Sequence, residues 1–244
     1  KDPISVHVDT PLDEVVQVIE KYDLVAVPVV DSIGRLVGRI TVDDVMDEVR
    51  EQAERDYQLA SGLSQDVESH DNVFRQTSAR LPWLLIGMLG GIGNSMILGN
   101  FDSTFAAHPE MALYIPLIGG TGGNVGTQSS ALVVQGLANS SLDANGIWKQ
   151  IMKESVVAVI NATIISMLVY IYNFIRFGAT ATVSYSVSIS LFSVVMFASI
   201  FGTLVPMTLE KLKIDPAIAT GPFISITNDI IGMMMYMGIT ALLS

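Results

Sequence analysis

The chain has 244 residues, half of them hydrophobic and only 15% charged, with a formal net charge of −11. This composition is typical of a membrane protein, and the absence of cysteine excludes disulfides, thiolate metal sites and cysteine nucleophiles. An acidic chain does not favour nucleic acid or an anionic membrane surface, so we expect no nucleic-acid partner and expect cations instead.

The negative charge is concentrated in the first third of the chain. Residues 1–80 hold 17 acidic and 8 basic side chains, whereas residues 81–244 hold 7 acidic and 5 basic side chains. This asymmetry predicts an acidic soluble module followed by a membrane module. Because the chain starts at Lys1 and shows no signal-peptide pattern, we expect it to be a piece of a longer protein.

Residues 1–49 are predicted to form a small α/β unit. Thr10 is a candidate cap for a helix that begins near Pro11 and ends near Tyr22. Two strands, at residues 24–30 and 35–40, follow with a turn between them, and residues 41–44 then open another helix.

This next helix is predicted to continue over residues 43–60 and is rich in acidic side chains. Several of these acids recur three and four residues apart, so much of the charge shares one side of the helix. Divalent cations or opposing basic groups would relieve the repulsion, and a merely solvated helix face is the alternative interpretation. Residues 61–79 are polar and resemble a linker with some helix.

Five apolar segments follow, each near the roughly 20 residues that a membrane-spanning helix needs. They lie at residues 81–100, 112–137, 155–175, 186–209 and 216–243. If residues 1–80 are cytoplasmic, six flanking Lys and Arg residues fall inside and only Arg176 falls outside. The positive-inside rule therefore predicts a cytoplasmic N-terminus and an external C-terminus, and the odd number of spans favours a two-fold dimer with a pore on its axis.

The second apolar segment contains five glycines within residues 119–126, together with Asn124 and Thr127. In lipid, small residues let helices approach closely, and neutral oxygens can serve hard cations and their hydration water. Tight helix packing without any ion contact is the alternative interpretation.

Asp229, near the middle of the last apolar segment, is the acidic or basic residue that lies deepest in any of the five segments. A carboxylate at bilayer depth costs a few kcal/mol and persists where it lines water or holds a cation. Ser225 lies one helical turn earlier on the same face. In a dimer, two Asp229 side chains could hold a hydrated Mg²⁺ between them; a protonated Asp229 bonded to a neighbouring helix is the alternative.

These residues resemble the bacterial MgtE-type magnesium channels. The resemblance rests on residues 22–30, residues 38–45, the Gly-Thr-Gly-Gly-Asn run at residues 120–124, and residues 215–217 followed by Asp229. It implies an α-helical membrane protein, not an enzyme, with five transmembrane helices per subunit in a homodimer of the cell membrane. Residues 1–49 would be the second CBS (cystathionine-β-synthase) motif of a pair, residues 50–79 a plug helix and linker, and residues 80–244 the membrane domain.

The resemblance also implies the functional residues. The pore residues would be Asp229, with Asn124, Thr127 and Ser225 nearby. Acids that sense cytosolic Mg²⁺ and close the channel would be Asp23, Asp44, Asp47, Asp56 and Asp13, with Glu154 and Asp215 at the cytoplasmic mouth. Gln52, Arg55 and Gly221 depart from the residues that we expect in the family at these positions. The CBS motif further implies ATP binding at Thr41 and Asp44, although half of the expected motif pair is missing.

Three other functions compete with a gated Mg²⁺ channel. A carrier could couple divalent transport to Na⁺ or H⁺ through the same Asp229, and a non-conducting sensor could use the same acids. An intramembrane aspartyl protease would need two carboxylates at one site, which one chain does not offer. The oxygen-rich residues favour hard ions but do not rank Mg²⁺ against Mn²⁺, Co²⁺, Ca²⁺ or Zn²⁺.

Overall fold

A computed structural model describes residues 4–138, 142, 146–178 and 182–243, and for Asp13 and Ala219 it describes the backbone alone. The chain divides into two units, Lys1–Tyr57 and Gln58–Ser244. The division falls near the end of one long helix, whereas the sequence predicted the membrane module to begin at residue 80. Each unit is built from its own set of buried side chains.

The first unit combines a three-stranded sheet with helices. Its elements are β1 (Val6–His7), α1 (Leu12–Tyr22), β2 (Ala26–Val30), β3 (Leu36–Thr41) and the start of α2 (Val42–Ala60). The strand order is β1-β2-β3, with β1 parallel and β3 antiparallel to the central β2. The apolar side chains that alternate along these elements form its core, namely Val6, Val15, Ile19, Val27 and Val45.

The start of α1 differs from the prediction. The Thr10 hydroxyl accepts a hydrogen bond from the His7 backbone N–H at 2.9 Å, and the residue before the helix is Pro11, which offers no capping side chain. The prediction that Thr10 caps this helix was therefore wrong, because its oxygen serves the turn that follows β1. That short strand was also not predicted, since two residues carry no readable alternation.

The helix α2 begins at a capping box. The Thr41 backbone N–H and hydroxyl both donate to the Asp44 carboxylate, at 2.9 and 2.6 Å, and the Asp44 N–H donates back to the Thr41 hydroxyl at 3.4 Å. These bonds satisfy backbone groups that the first turn of a helix leaves free. The predicted helix over residues 43–60 is confirmed within one residue at its start.

The second unit is helical in its described residues. It contains α3 (Val73–Gly99), α4 (Asp102–Ala107), a 3-10 helix at Pro109–Tyr114, α5 (Ile115–Ala138), α6 (Ile147–Phe177), α7 (Thr182–Lys211), a 3-10 helix at Pro216–Ala219 and α8 (Pro222–Leu243). Of these, α7 lies at the centre and packs against α5, α6 and α8. The helix α3 is mostly exposed and contacts chiefly α8.

Within the described residues, four helices are long and apolar enough to cross a membrane: α3, α6, α7 and α8. They indicate a multi-pass membrane protein. The 24-residue α5 is comparable in length but is interrupted throughout by Gly, Ser and Thr. The fifth predicted span therefore remains a prediction that rests on this polar, glycine-rich helix.

The segment predicted as one last span is two elements. The Asp215 carboxylate accepts a hydrogen bond from the Ala217 N–H at 2.8 Å and caps the 3-10 helix, after which Thr220 is extended. Gly221 then takes a left-handed φ of +52°, and α8 begins at Pro222. The extended Thr220 and the left-handed Gly221 interrupt the helix here, and Pro222, which lacks a backbone N–H, suits the first turn of α8.

Gly221 is expected to tolerate no side chain. A Cβ at this residue would lie 2.0 Å from the Ala60 carbonyl oxygen, and its positive φ is unfavourable for L-residues. Gly221→Ala should therefore destabilise the protein by at least about 2 kcal/mol. The thermal unfolding midpoint of the solubilised chain measures this. Gly238→Ala in α8, where a Cβ meets no atom within 4 Å, should leave the midpoint unchanged or slightly higher.

Candidate ion pathway

The helix α8 carries Asp229 two turns from its start, about 10 Å along the helix axis at 1.5 Å per residue. Asp229 is half-buried, and Ser225 lies one turn before it. Within the described residues, the Asp229 carboxylate has no hydrogen-bond donor and no basic partner. One turn of helix therefore presents a hydroxyl and an unpaired carboxylate on the same face.

Both side chains lie against a face of α5 that has no side chains of its own. A Cβ at Gly123 would lie 2.8 Å from the Ser225 hydroxyl oxygen and 3.3 Å from Asp229 Oδ1, and one at Gly119 would lie 3.5 Å from Asp229 Oδ1. The two glycines are four residues apart and so share one helix face. Any larger residue at position 123 would displace the Ser225 hydroxyl or the carboxylate.

The other two predicted pore residues lie on α5 at different faces. Thr127 follows Gly119 and Gly123 at the same four-residue spacing and is half-buried, so it extends the face that meets α8. Asn124 is exposed, one residue round the helix from Gly123. The structure thus brings Asp229 and Ser225 together, and places Thr127 in line with the glycine face and Asn124 beside it.

Asn228 is a polar neighbour that the sequence analysis did not single out. It is 1% exposed, and its amide nitrogen lies 1.8 Å from where a Cβ at Gly126 would be. Within the described residues neither amide atom has a hydrogen-bond partner. The sequence could have indicated this burial, because Asn228 lies next to Asp229 in an apolar helix. A polar amide at bilayer depth is costly unless it faces the interior of the helix bundle.

The geometry suits an ion that keeps its water. Among the described residues, no group of three or more His, Asp or Glu side chains could enclose a metal ion. A single carboxylate with nearby hydroxyl and amide oxygens cannot replace a full octahedral shell. Mg²⁺ loses water reluctantly and is commonly bound through one or two carboxylates with several waters retained. The arrangement can therefore attract a hydrated divalent cation without dehydrating it.

Glu154 lies deeper than predicted. The predicted third span begins at residue 155, whereas α6 begins at Ile147, so Glu154 lies inside the helix and is 8% exposed. The Ser129 hydroxyl of α5 donates to Glu154 Oε1 at 2.7 Å, and the Ser199 hydroxyl of α7 donates to the same oxygen. Glu154 is therefore enclosed by protein contacts, and its predicted role as a Mg²⁺-sensing acid at the cytoplasmic mouth stays a prediction.

A sequence signal for this burial existed. The buried residues of α6 recur every four positions, as Glu154, Ala158, Ala162 and Ser166. Small residues at that spacing indicate a helix face in close contact with a neighbouring helix. Glu154 continues this face by one turn, so the spacing alone could have placed it inside the bundle.

The predicted regulatory acids differ in their local interactions. Asp23 follows α1 in a left-handed backbone conformation. Its side chain is exposed, and the side chain of Asp47 on α2 is also exposed. Asp56 is half-buried and accepts a hydrogen bond from the Gln52 amide at 3.2 Å. The side chain of Asp13 lies outside the described residues, and Asp215 caps its 3-10 helix. Their roles in sensing Mg²⁺ stay predictions.

Basic side chains already neutralise part of the acidic face of α2. The Arg55 guanidinium lies 3.1 Å from Glu48 and 3.5 Å from Glu51, and Arg50 lies 3.0 Å from Glu54. All five side chains are well exposed, so each pair contributes little to stability. Opposing basic groups therefore relieve some of the repulsion that the sequence pattern predicted.

Thr41 and Asp44, the predicted nucleotide contacts, are bonded to each other in the capping box. The two hydrogen bonds from Thr41 hold the pKa of the Asp44 carboxyl below its usual range. A ligand that used either residue would have to compete with the cap. ATP binding stays a prediction of the CBS resemblance.

Comparison with known proteins gives two family matches and several relatives. The MgtE profile, described as a divalent cation transporter, matches residues 115–239, and the CBS domain profile matches residues 1–51. The chain is 34% identical over 227 residues to the magnesium transporter MgtE of Bacillus subtilis, which covers 93% of the chain and 50% of that protein.

Two further relatives carry the same name. The magnesium transporter MgtE of Enterococcus faecalis is 32% identical over 240 residues, covering 98% of this chain and 52% of that protein. That of Thermus thermophilus is 32% identical over 246 residues, covering 98% and 53%. The chain therefore spans about half the length of the relatives that it matches.

Gly123→Ala tests the glycine face. The added methyl group would push the Ser225 hydroxyl and the Asp229 carboxylate aside, and a displacement that raises the barrier to ion passage by about 1.4 kcal/mol would lower divalent-ion flux about tenfold. Flux into vesicles at equal protein content measures this. The matched variant is Gly120→Ala, where a Cβ meets no atom within 4 Å. Equal flux in both variants would contradict the assigned contact.

The capping box predicts a pH dependence of α2. Because the folded-state pKa of Asp44 is lowered, the cap stabilises the helix above the ordinary carboxyl pKa and loses that effect as the pH falls through the folded-state value. Asp44→Asn should therefore reduce amide protection in the first turn of α2 at neutral pH and remove its acid dependence. Hydrogen exchange corrected for intrinsic rates measures both, and Asp43→Asn, which removes a first-turn acid without a capping bond, should change protection less.

Proposed function

This chain belongs to the MgtE family of divalent cation transporters, and we propose that it forms a membrane pathway for Mg²⁺ that passes the Asp229 carboxylate. The Mg²⁺ assignment draws on the names of the relatives and on the oxygen-only chemistry of the residues around Asp229. Ser225 and the α5 residues Asn124 and Thr127 complete the proposed lining.

The unpaired Asp229 carboxylate is the observation that carries this proposal. It lies in a helix apolar enough to span a membrane, against glycines that leave room beside it. An isolated charge is costly at bilayer depth unless water or a cation accompanies it. Because no described protein group compensates this carboxylate, a hydrated cation is the compensation that we assign to it.

A homodimer would complete the site. One carboxylate carries half of the charge needed to balance a divalent ion, and two copies related by a two-fold axis would supply both halves. The ion could then lie between two Asp229 side chains through its retained waters. In this arrangement the N-terminus faces the cytoplasm and the C-terminus the outside, as the flanking charges predict.

We further propose that cytosolic Mg²⁺ closes this pathway by binding the acids of the first 80 residues. Their excess of acidic over basic side chains supports this, because unneutralised acids repel one another and a divalent ion would draw them together. Passive entry would be driven by the membrane potential at about 4.6 kcal/mol per 100 mV for a doubly charged ion.

Neutralising Asp229 tests the pathway. Asp229→Asn keeps the shape of the side chain, and removing a unit charge about 4 Å from a doubly charged ion forfeits about 8 kcal/mol at an effective dielectric constant of 20. Mg²⁺ uptake into vesicles should therefore fall at least tenfold. Glu210→Gln, an equal charge change at an exposed site near the end of α7, should transport normally. Unchanged uptake by the Asp229 variant would refute the proposed route.

The same vesicles separate a channel from a carrier and from a sensor. A channel gives uptake that follows the Mg²⁺ gradient and the voltage alone and falls when Mg²⁺ is raised on the side of the first unit. A requirement for a Na⁺ or H⁺ gradient would support the carrier, and no flux in the wild-type protein under any gradient would support the sensor.

A further inference from the structure

A crevice of about 330 Å³ opens between α5 and α6, well away from the face of α5 that meets Asp229. The helix α7 packs against both α5 and α6 and contributes Ser199 to the bottom of the crevice. Ser129, on the wall, lies six residues beyond Gly123, which places the two on different faces of α5. We call this cavity the lateral crevice; its lining includes Gln128, Leu132, Lys153, Glu154, Val157 and Asn161.

The lateral crevice contains a buried carboxylate with one free oxygen. Both hydrogen bonds to Glu154, from Ser129 and Ser199, end on Oε1. Within the described residues Oε2 has no partner, and the neighbouring Lys153 lines the same cavity without pairing with it. Oε2 is not among the enclosed polar atoms that lack a partner, so it is accessible from the crevice, where an occupant that donates a hydrogen bond or carries positive charge can bind it.

The outward surface of α6 shows where that occupant comes from. Val156, Ile160, Ile164 and Met167 are all more than half exposed, as is typical of a helix that faces lipid. Glu154 is buried in the crevice, whereas Lys153, Gln128 and Asn161 are exposed, as are the apolar Leu132 and Val157. The crevice therefore combines a buried carboxylate, an exposed basic side chain and exposed apolar side chains, which are the groups that a zwitterionic headgroup with acyl chains would contact.

We propose that the lateral crevice binds the headgroup of a phospholipid with a primary ammonium group, such as phosphatidylethanolamine. The ammonium group donates to Glu154 Oε2, the phosphate pairs with Lys153, and the acyl chains leave across Leu132 and Val157. Gln128 and Asn161 offer amide groups to the remaining headgroup oxygens. The volume falls within the range of ordinary small-molecule pockets.

The charge pattern selects this headgroup among common lipids. An anionic lipid without an ammonium group would meet Lys153 but would leave Glu154 uncompensated. Phosphatidylcholine carries the same charges, but its quaternary ammonium group has no N–H to donate to Oε2. A zwitterion with a primary amine satisfies both side chains at once.

Competitive lipid retention tests the proposal. The full chain, reconstituted with equal amounts of phosphatidylethanolamine and phosphatidylcholine, is extracted gently, and the bound lipids are counted by native mass spectrometry. Wild-type protein should retain phosphatidylethanolamine about fivefold or more over phosphatidylcholine. Glu154→Gln should abolish this preference, and Glu210→Gln, which makes the same charge change outside the crevice, should keep it. Thermal unfolding with each lipid gives an independent readout of the same preference.

A second variant and a competition with MgCl₂ complete the test. Lys153→Gln alters an exposed side chain and should weaken retention of both phospholipids, which tests the site even if Glu154→Gln does not fold. Equal retention of both lipids by the wild-type protein would overturn the proposal. It would also be overturned if excess MgCl₂ displaced the lipid only when Glu154 is present, since the crevice would then be a cation site. None of these measurements depends on transport past Asp229.

Discussion

The close approach of α8 to the bare face of α5 is the constraint on which the proposed pathway depends. A carboxylate can lie between two apolar helices only where room remains for the water or ion that compensates its charge. Gly119 and Gly123 leave that room, and a methyl group at position 123 would fill it. The glycine-rich sequence of α5, which would weaken a helix in water, here sets how closely α8 can pack.

Two acidic side chains within the helical unit meet the cost of burial in opposite ways. Glu154 accepts hydrogen bonds from serines on two different helices and so ties α5, α6 and α7 together. Asp229 has no such partner among the described residues, although Ser225 lies one turn away. A carboxylate held by protein donors has less capacity left for an ion, whereas an unpaired one retains it. This contrast supports assigning ion passage to Asp229 and a different ligand to Glu154.

Most elements and part of the candidate site could be predicted before the structure was known. The spacing of Ser225 and Asp229 places them on one face because a helix repeats every 3.6 residues. Which face of α5 they meet could not be predicted, since it depends on the packing of two helices about 100 residues apart. The break before α8 was missed because apolar residues on both sides of Gly221 suggested a single span. The burial of Glu154 was not predicted, because the predicted third span begins only after this charged residue, whereas the helix extends through it.

The amino-acid sequence by itself determined the membrane class, the acidic first module, the positions of the long apolar helices and the deep Asp229. These follow from local composition and periodicity, which act between residues near one another in the chain. Only the tertiary structure decided that glycines of α5 adjoin Asp229, that serines of α5 and α7 bind Glu154, and that a polar crevice opens beside α6. Those contacts join residues 25 to 110 positions apart, and their geometry is set by how the helices pack.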